Sequence, residues 1–272
     1  MLLSNVPVLD VRPLLTEERA ELLELLRGIT DEDWLISTQA VGWRVKDVAL
    51  HLLDDDLGWL SRSRDRDTSG ILDMSGVYAD FVTALDSKNQ SWVDGAHGLS
   101  RRVVCDLLEW SGREVDTYHA STEMLAPRTV IWAGHDPVPA WFDLARDLTE
   151  RWVHQQQIRE AVGVEGHHAE KYLAVVIRTF IWAFPYQYQT VAEVGTQVAL
   201  DIGGAGRWTL TRSDDGWEMD EGSCGSPAAR VVMSADAAWR SLTGAVVDPL
   251  EITNEGPDEL TDAVRRVRGI IV

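Results

Sequence analysis

The sequence predicts a two-domain α+β protein in which an N-terminal four-helix bundle is followed by a small α+β domain, and three features of the chain lead to that class. Apolar residues recur at helical spacing through four long stretches that end near residue 165. From about residue 195 the pattern becomes short alternating runs separated by Gly and Asp turns. Between the two regimes lies YLAVVIRTFIWAFPY, which carries Arg178 and ends at Pro185 and so reads as a linking helix, not as a membrane span. The expected limits are 1–165 for the bundle, 166–190 for the link and 191–272 for the small domain.

Each element has its own signal. Residues 14–29 set Leu15, Leu22, Leu26 and Ile29 on one stripe, with Thr16 expected as N-cap and Gly28 near the end. Residues 44–62, entered from a turn at Gly42, carry Val45, Val48, Ala49, Leu52, Leu53, Leu57 and Leu60 at helical spacing. Segments 75–90 and 98–120 are helical too, and Gly95 and Gly98 leave open whether they are one broken element or two. The Pro- and Gly-containing connection APRTVIWAGHDPVPA leads into a long helix at 140–162 with Trp141, Leu144, Leu148 and Trp152 along one side. Four such helices with modest loops predict a bundle. A linking helix is expected at 168–184. Beyond it TQVALDIGG, RWTLTRS, GWEMDEG and ARVVMS read as strands joined by hairpins at Gly203-Gly204, Asp214-Asp215-Gly216 and Gly222 through Pro227, with helices at 235–243 and 257–267.

Composition narrows the function classes. With 45% hydrophobic residues and 12 Trp among 272 residues the chain can bury real cores, which argues against disorder. The 25 Lys+Arg stand against 44 Asp+Glu, a net charge of −19 that repels phosphate backbones and anionic bilayers, so neither nucleic acid nor membrane is expected as a partner. The start MLLSNVPVLDVRP lacks the basic, apolar and small-residue regions of a secretory signal, and a cytoplasmic protein is expected. Cys105 and Cys224 are far apart and in no C-x-x-C pattern, so any metal must be held by His and carboxylate. No G-x-S-x-G, G-x-G-x-x-G or G-x-x-x-x-G-K-[ST] motif occurs, which removes support for hydrolase and nucleotide-binding readings. His97, His119 and His135 have no spacing partner, and His167-His168 after Gly166 reads as solvated loop.

One constellation carries chemistry. In ERWVHQQQIREAVG, Glu150 and His154 are four residues apart and project from one helix face, within reach of a single ion. In GWRVKDVALHLLDDD, His51 stands at the edge of an apolar stripe with Asp55 one turn later, where it can point into the bundle beside them. Spacing alone leaves the alternatives open, since an i,i+4 Glu–His pair is also common on solvated helix faces and a stripe-edge histidine is also a common core residue.

In these two strings the sequence resembles the mycothiol-dependent maleylpyruvate isomerase family of the wider DinB-like superfamily of four-helix bundles, with Trp43 ahead of His51 and Glu150-x-x-x-His154 on the last helix. The resemblance extends to the C-terminal region, where NEGPDELTDAVRRV is similar to the final helix of a small sterol-carrier-like α+β domain. It implies a divalent metal, usually zinc, held by His51, Glu150 and His154, with an open position for water or a thiol. It further implies mycothiol as thiol cosubstrate and a small electrophilic substrate, isomerised by reversible thiolate addition or, in related members, joined to the thiol. Asp54, Asp55 and Asp147 are candidates to orient a ligating imidazole. The family often has an Asp within three residues after the final His, where this chain has Gln155, Gln156 and Gln157. Arg207, Arg212 and Arg230 are candidates by type for an anionic substrate. A non-catalytic metal or small-ligand binding protein of the same fold is the alternative, and an iron enzyme of the superfamily is disfavoured by a Glu at 150 where that class has a third His. The oligomeric state is left open, with a monomer favoured.

Overall fold

The structure, a computed structural model, describes residues 6–72, 78–134, 136–166 and 170–269, so the expectations for His135, His167 and His168 lie outside the described residues. The chain divides into two compact units, Val11–Thr122 with Glu150–His167 and residues 1–10, 123–149 and 168–272.

The first unit is helical. It holds α1 (Arg12–Gly28), α2 (Val45–Gly58), α3 (Tyr78–Ala96), α4 (Arg101–Ala120) and the last turns of α5 (Ala140–Ala161). Helix α1 begins earlier than expected, because Pro13 in its first turn has the right φ fixed and needs no N–H partner. Thr16 is therefore not the N-cap; its hydroxyl donates to the Arg12 carbonyl and to Asp116. In α2 the Arg44 N–H donates to Asp47 Oδ2 at 2.9 Å, half of a capping box, and the helix continues into a π-helical turn at Trp59–Arg64. Segments α3 and α4 are two helices, and Ser100 begins the second by accepting the Val103 N–H. Leu22, Leu26, Val45, Val48, Leu52, Val104, Leu108 and Ile158 build one apolar core from α1, α2, α4 and α5.

Charge is also buried in this unit. Asp56 is fully buried and accepts hydrogen bonds from Arg19 Nη1 at 2.6 Å, Ser111 Oγ at 2.8 Å and the Arg151 guanidinium, so one carboxylate ties α1, α2, α4 and α5 together. Glu18, also buried, receives Gln155 Nε2 at 2.9 Å. Ions in such surroundings cost several kcal/mol each unless they are paired, so this network fixes which helix faces which.

The second unit carries the sheet. Its connection before α5 contains a two-stranded ribbon, β1 (Pro127–Arg128) against β2 (Val138–Pro139). The link is α6 (Glu170–Phe180), a 3-10 turn at Ile181–Ala183 and α7 (Phe184–Gln187), and Pro185 sits in the first turn of α7 where it starts a helix and does not end one. Strands β3 (Gln197–Ile202), β4 (Gly206–Arg212), β5 (Trp217–Glu221), β6 (Ala229–Met233) and β7 (Ile252–Glu255) form a sheet in the order β5-β4-β3-β6-β7. Turns at Gly203-Gly204 and Asp214-Asp215-Gly216 are hairpins as expected. The segment from Gly222 through Pro227 is not a hairpin: it carries the chain past β4 and β3 so that β6 pairs parallel with β3 on its other side. Helices α8 (Ala235–Thr243) and α9 (Asp258–Val264) complete the unit. Trp217 and Met219 of β5, Val231 of β6, and Trp239 and Leu242 of α8 are buried. No helix among the described residues is long and apolar enough to cross a membrane.

Candidate metal centre

Two helices of the first unit bring the chemistry together. His51 lies midway along α2, and Glu150 and His154 lie one turn apart on α5. Nε2 of His51 and Nε2 of His154 each stand 3.1 Å from the same oxygen, Oε1 of Glu150. One ligand atom from each of the three residues falls within 4.8 Å of the others, the single such group found among the described residues. Donors around a tetrahedral zinc at metal–ligand distances near 2.1 Å are about 3.4 Å apart, so both the donor types and their spacing fit a small divalent cation.

Burial makes the arrangement consequential. His51 is 4% and His154 7% exposed. Burial pulls the His51 imidazole down, but the Asp55 charge and the hydrogen bond with Glu150 outweigh it and push its pKa up to about 9. For Glu150, burial opposes ionisation, yet the hydrogen bonds from His154 and His51 hold its carboxyl well below the usual carboxylate range. The site is thus an anionic oxygen with two imidazoles drawn to it.

The surroundings fix those rings. His154 Nδ1 donates to Gln157 Oε1 at 2.7 Å. The two imidazoles meet edge to face with centroids 4.9 Å apart, and the Trp43 indole lies 5.1 Å from one and 6.5 Å from the other. Trp43 is held in turn by its Nε1 donating to Gln90 at 2.9 Å and by a closed loop, in which Gly42 at φ +86° makes the turn and the Thr38 N–H reaches the Trp43 carbonyl.

The three consecutive aspartates after His51 part company. Asp55 is the one near the site, 3.7 Å from His51 Nε2. Asp54 pairs with Lys88 at 3.1 Å, and Asp56 enters the buried network. Asp147 is buried and lies 4.0 Å from the Arg146 guanidinium. Among the arginines considered for substrate, Arg207 pairs with Asp201 at 3.0 Å, Arg230 with Glu255 at 3.7 Å, and Arg212 donates to the Ser213 carbonyl. Cys105 is buried in the helical core, where desolvation raises its thiol pKa. Sequence reasoning missed Gln157 as a partner of His154; its signal was only the i,i+3 spacing on one helix face.

Comparison with known proteins bears on the family and the fold. A family model for the mycothiol maleylpyruvate isomerase N-terminal domain matches residues 15–159, more than half of the chain. A crystal structure of the mycothiol-dependent maleylpyruvate isomerase is similar at a TM-score of 0.57 and 16% identity, over 94% of this chain and 98% of that one. A histidine-to-alanine mutant of that isomerase is similar at a TM-score of 0.56 and 15% identity, with the same coverage. Likeness at this identity shows a shared two-domain α+β fold. No curated protein sequence matches.

Proposed function

The chain belongs to the mycothiol maleylpyruvate isomerase N-terminal domain family, and from that premise we propose that it is a metal-dependent enzyme using a low-molecular-weight thiol, mycothiol, to isomerise a small electrophilic substrate or to transfer the thiol onto it. The observation that carries the reading is the convergence of His51, Glu150 and His154 within ligand distance of one another. In this proposal the three residues hold one divalent ion, with zinc favoured by a donor set of two imidazoles and a carboxylate. The chemistry supplied by such an ion is removal of a thiol's proton near neutral pH, where an unassisted thiol of pKa about 8.5 is only a few per cent ionised.

The chain's own residues prepare that chemistry. Gln157 keeps His154 Nδ1 occupied, which leaves Nε2 for ligation. Glu150 contributes the anionic oxygen that the two imidazoles share. Trp43 lies tilted beside both rings and adds apolar surface next to them. A cytoplasmic location and a functional division at 1–165, 166–190 and 191–272 belong to the same reading; that division differs from the one by compactness, which sets 123–149 with the sheet-bearing unit.

The test is elemental analysis of the purified protein followed by a turnover screen with mycothiol and several electrophiles. One equivalent of metal in the wild type, its loss in His51→Ala and His154→Ala, and turnover only with thiol are the expected results. Full metal content in both variants would remove the site. Metal binding without turnover by any thiol would favour the non-catalytic alternative.

A further inference from the structure

The two imidazoles of the candidate centre are supported differently on their far nitrogens. Nδ1 of His154 donates to Gln157 Oε1 at 2.7 Å, a short bond between two side chains that are each more than nine-tenths buried. Nδ1 of His51 is buried with no hydrogen-bond partner among the described residues. Neither ring therefore donates its Nδ1–H to a carboxylate, which is the commonest way for a protein to make a ligating histidine more basic.

We propose that Gln157 is the positioning residue of the centre, and that its neutral amide fixes the His154 tautomer while leaving the bound ion less neutralised than a carboxylate in that place would. This rests on the reading of His51, Glu150 and His154 as ligands. The amide oxygen can only accept, so it holds a proton on Nδ1 and leaves Nε2, on the side of the ring that faces Glu150, as the nitrogen free to ligate when an ion is bound. It carries no charge, so it pushes less electron density into the ring than an anion would, and Nε2 stays a weaker donor to the ion. Glu150 is then the one anion in the set of three, and a divalent ion held there keeps a net positive charge with which to take an anionic fourth partner such as a thiolate. Asp55, 3.7 Å from His51 Nε2 and outside the set, is the carboxylate that tempers this charge from the other side.

Zinc affinity is measured by chelator competition in the wild type, Gln157→Glu and Gln157→Ala, with NMR of the His154 Nδ1–H in each zinc-loaded protein. Gln157→Glu, nearly isosteric, is expected to bind zinc about tenfold more tightly and to move the Nδ1–H resonance downfield; Gln157→Ala is expected to bind about tenfold more weakly with fast exchange of that proton. Affinities equal within twofold in all three, with unchanged Nδ1–H exchange, would overturn the role of Gln157 and leave the metal reading intact. Failure of the wild type to bind zinc would instead remove the metal reading itself. Because Gln157→Glu keeps the side-chain volume, its outcome decides the matter even if Gln157→Ala does not fold.

Discussion

A single proton links the candidate centre to pH. The His51 pKa is raised to about 9, so in the metal-free protein this ring is charged at neutral pH, whereas ligation requires it neutral. Loading must then expel a proton, and zinc affinity is expected to fall about tenfold for each unit that pH drops below 9. The same shift makes the charged ring a stabiliser of the metal-free fold: that contribution is full below the unfolded value of about 6.5 and disappears as pH rises through 9. Chelator competition between pH 6 and 9 checks the first statement, and a flat profile above pH 7 would show that His51 is not raised. Spacing put Glu150 and His154 on one helix face and His51 at a stripe edge, because helical periodicity converts sequence distance into direction, but it was the resemblance of the two strings to a known family that joined the three as one set. Gln157 was not legible, because an amide carries no chemical signature until its partner is seen. The run Asp54, Asp55 and Asp56 shows the same limit, since three identical residues at successive 100° steps meet Lys88, His51 and a buried arginine pair.

Elements were legible where local chemistry marks both ends. Helix α8 runs at its expected 235–243 because Ser234 accepts the Ala237 N–H at 3.0 Å and Gly244 takes φ +74° after it. Strand β7 was not expected, because ITNE is an exposed edge with little alternation and is a strand only by pairing with β6. The crossover into β6 was read as a hairpin because glycines mark a turn without saying which strand the chain turns toward. The helices of the first unit are held in register by Asp56, whose two arginines and Ser111 come from three other helices. Asp56→Asn keeps the volume but strips the charge that Arg19 and Arg151 require. The expected loss is about 3 kcal/mol in urea unfolding, near what removing one partner of a buried pair costs. A loss below about 1 kcal/mol would mean that the network is held by its packing alone.

At the scale of the molecule, a shared fold does not decide the reaction, since a metal with three protein ligands can ionise water as readily as a thiol. The change from helical to alternating period announced the two-domain class, and it said nothing of which small molecule is used. Two observations favour an external thiol over water. The family model spans the whole His51-to-His154 segment, and no carboxylate stands in an H-E-x-x-H arrangement that would serve as a hydrolytic base. The chain's own thiols are poor substitutes. Cys105 is buried among core residues with its pKa raised, and Cys224 lies in the crossover between β5 and β6. A variant carrying Cys105→Ala and Cys224→Ser should therefore keep its metal and at least half of its mycothiol-dependent turnover, while the wild type without added thiol should show none. Turnover in thiol-free buffer would point to a metal-activated water. Loss of activity in the cysteine-free variant, with fold and metal intact by circular dichroism and elemental analysis, would place the nucleophile on the chain itself.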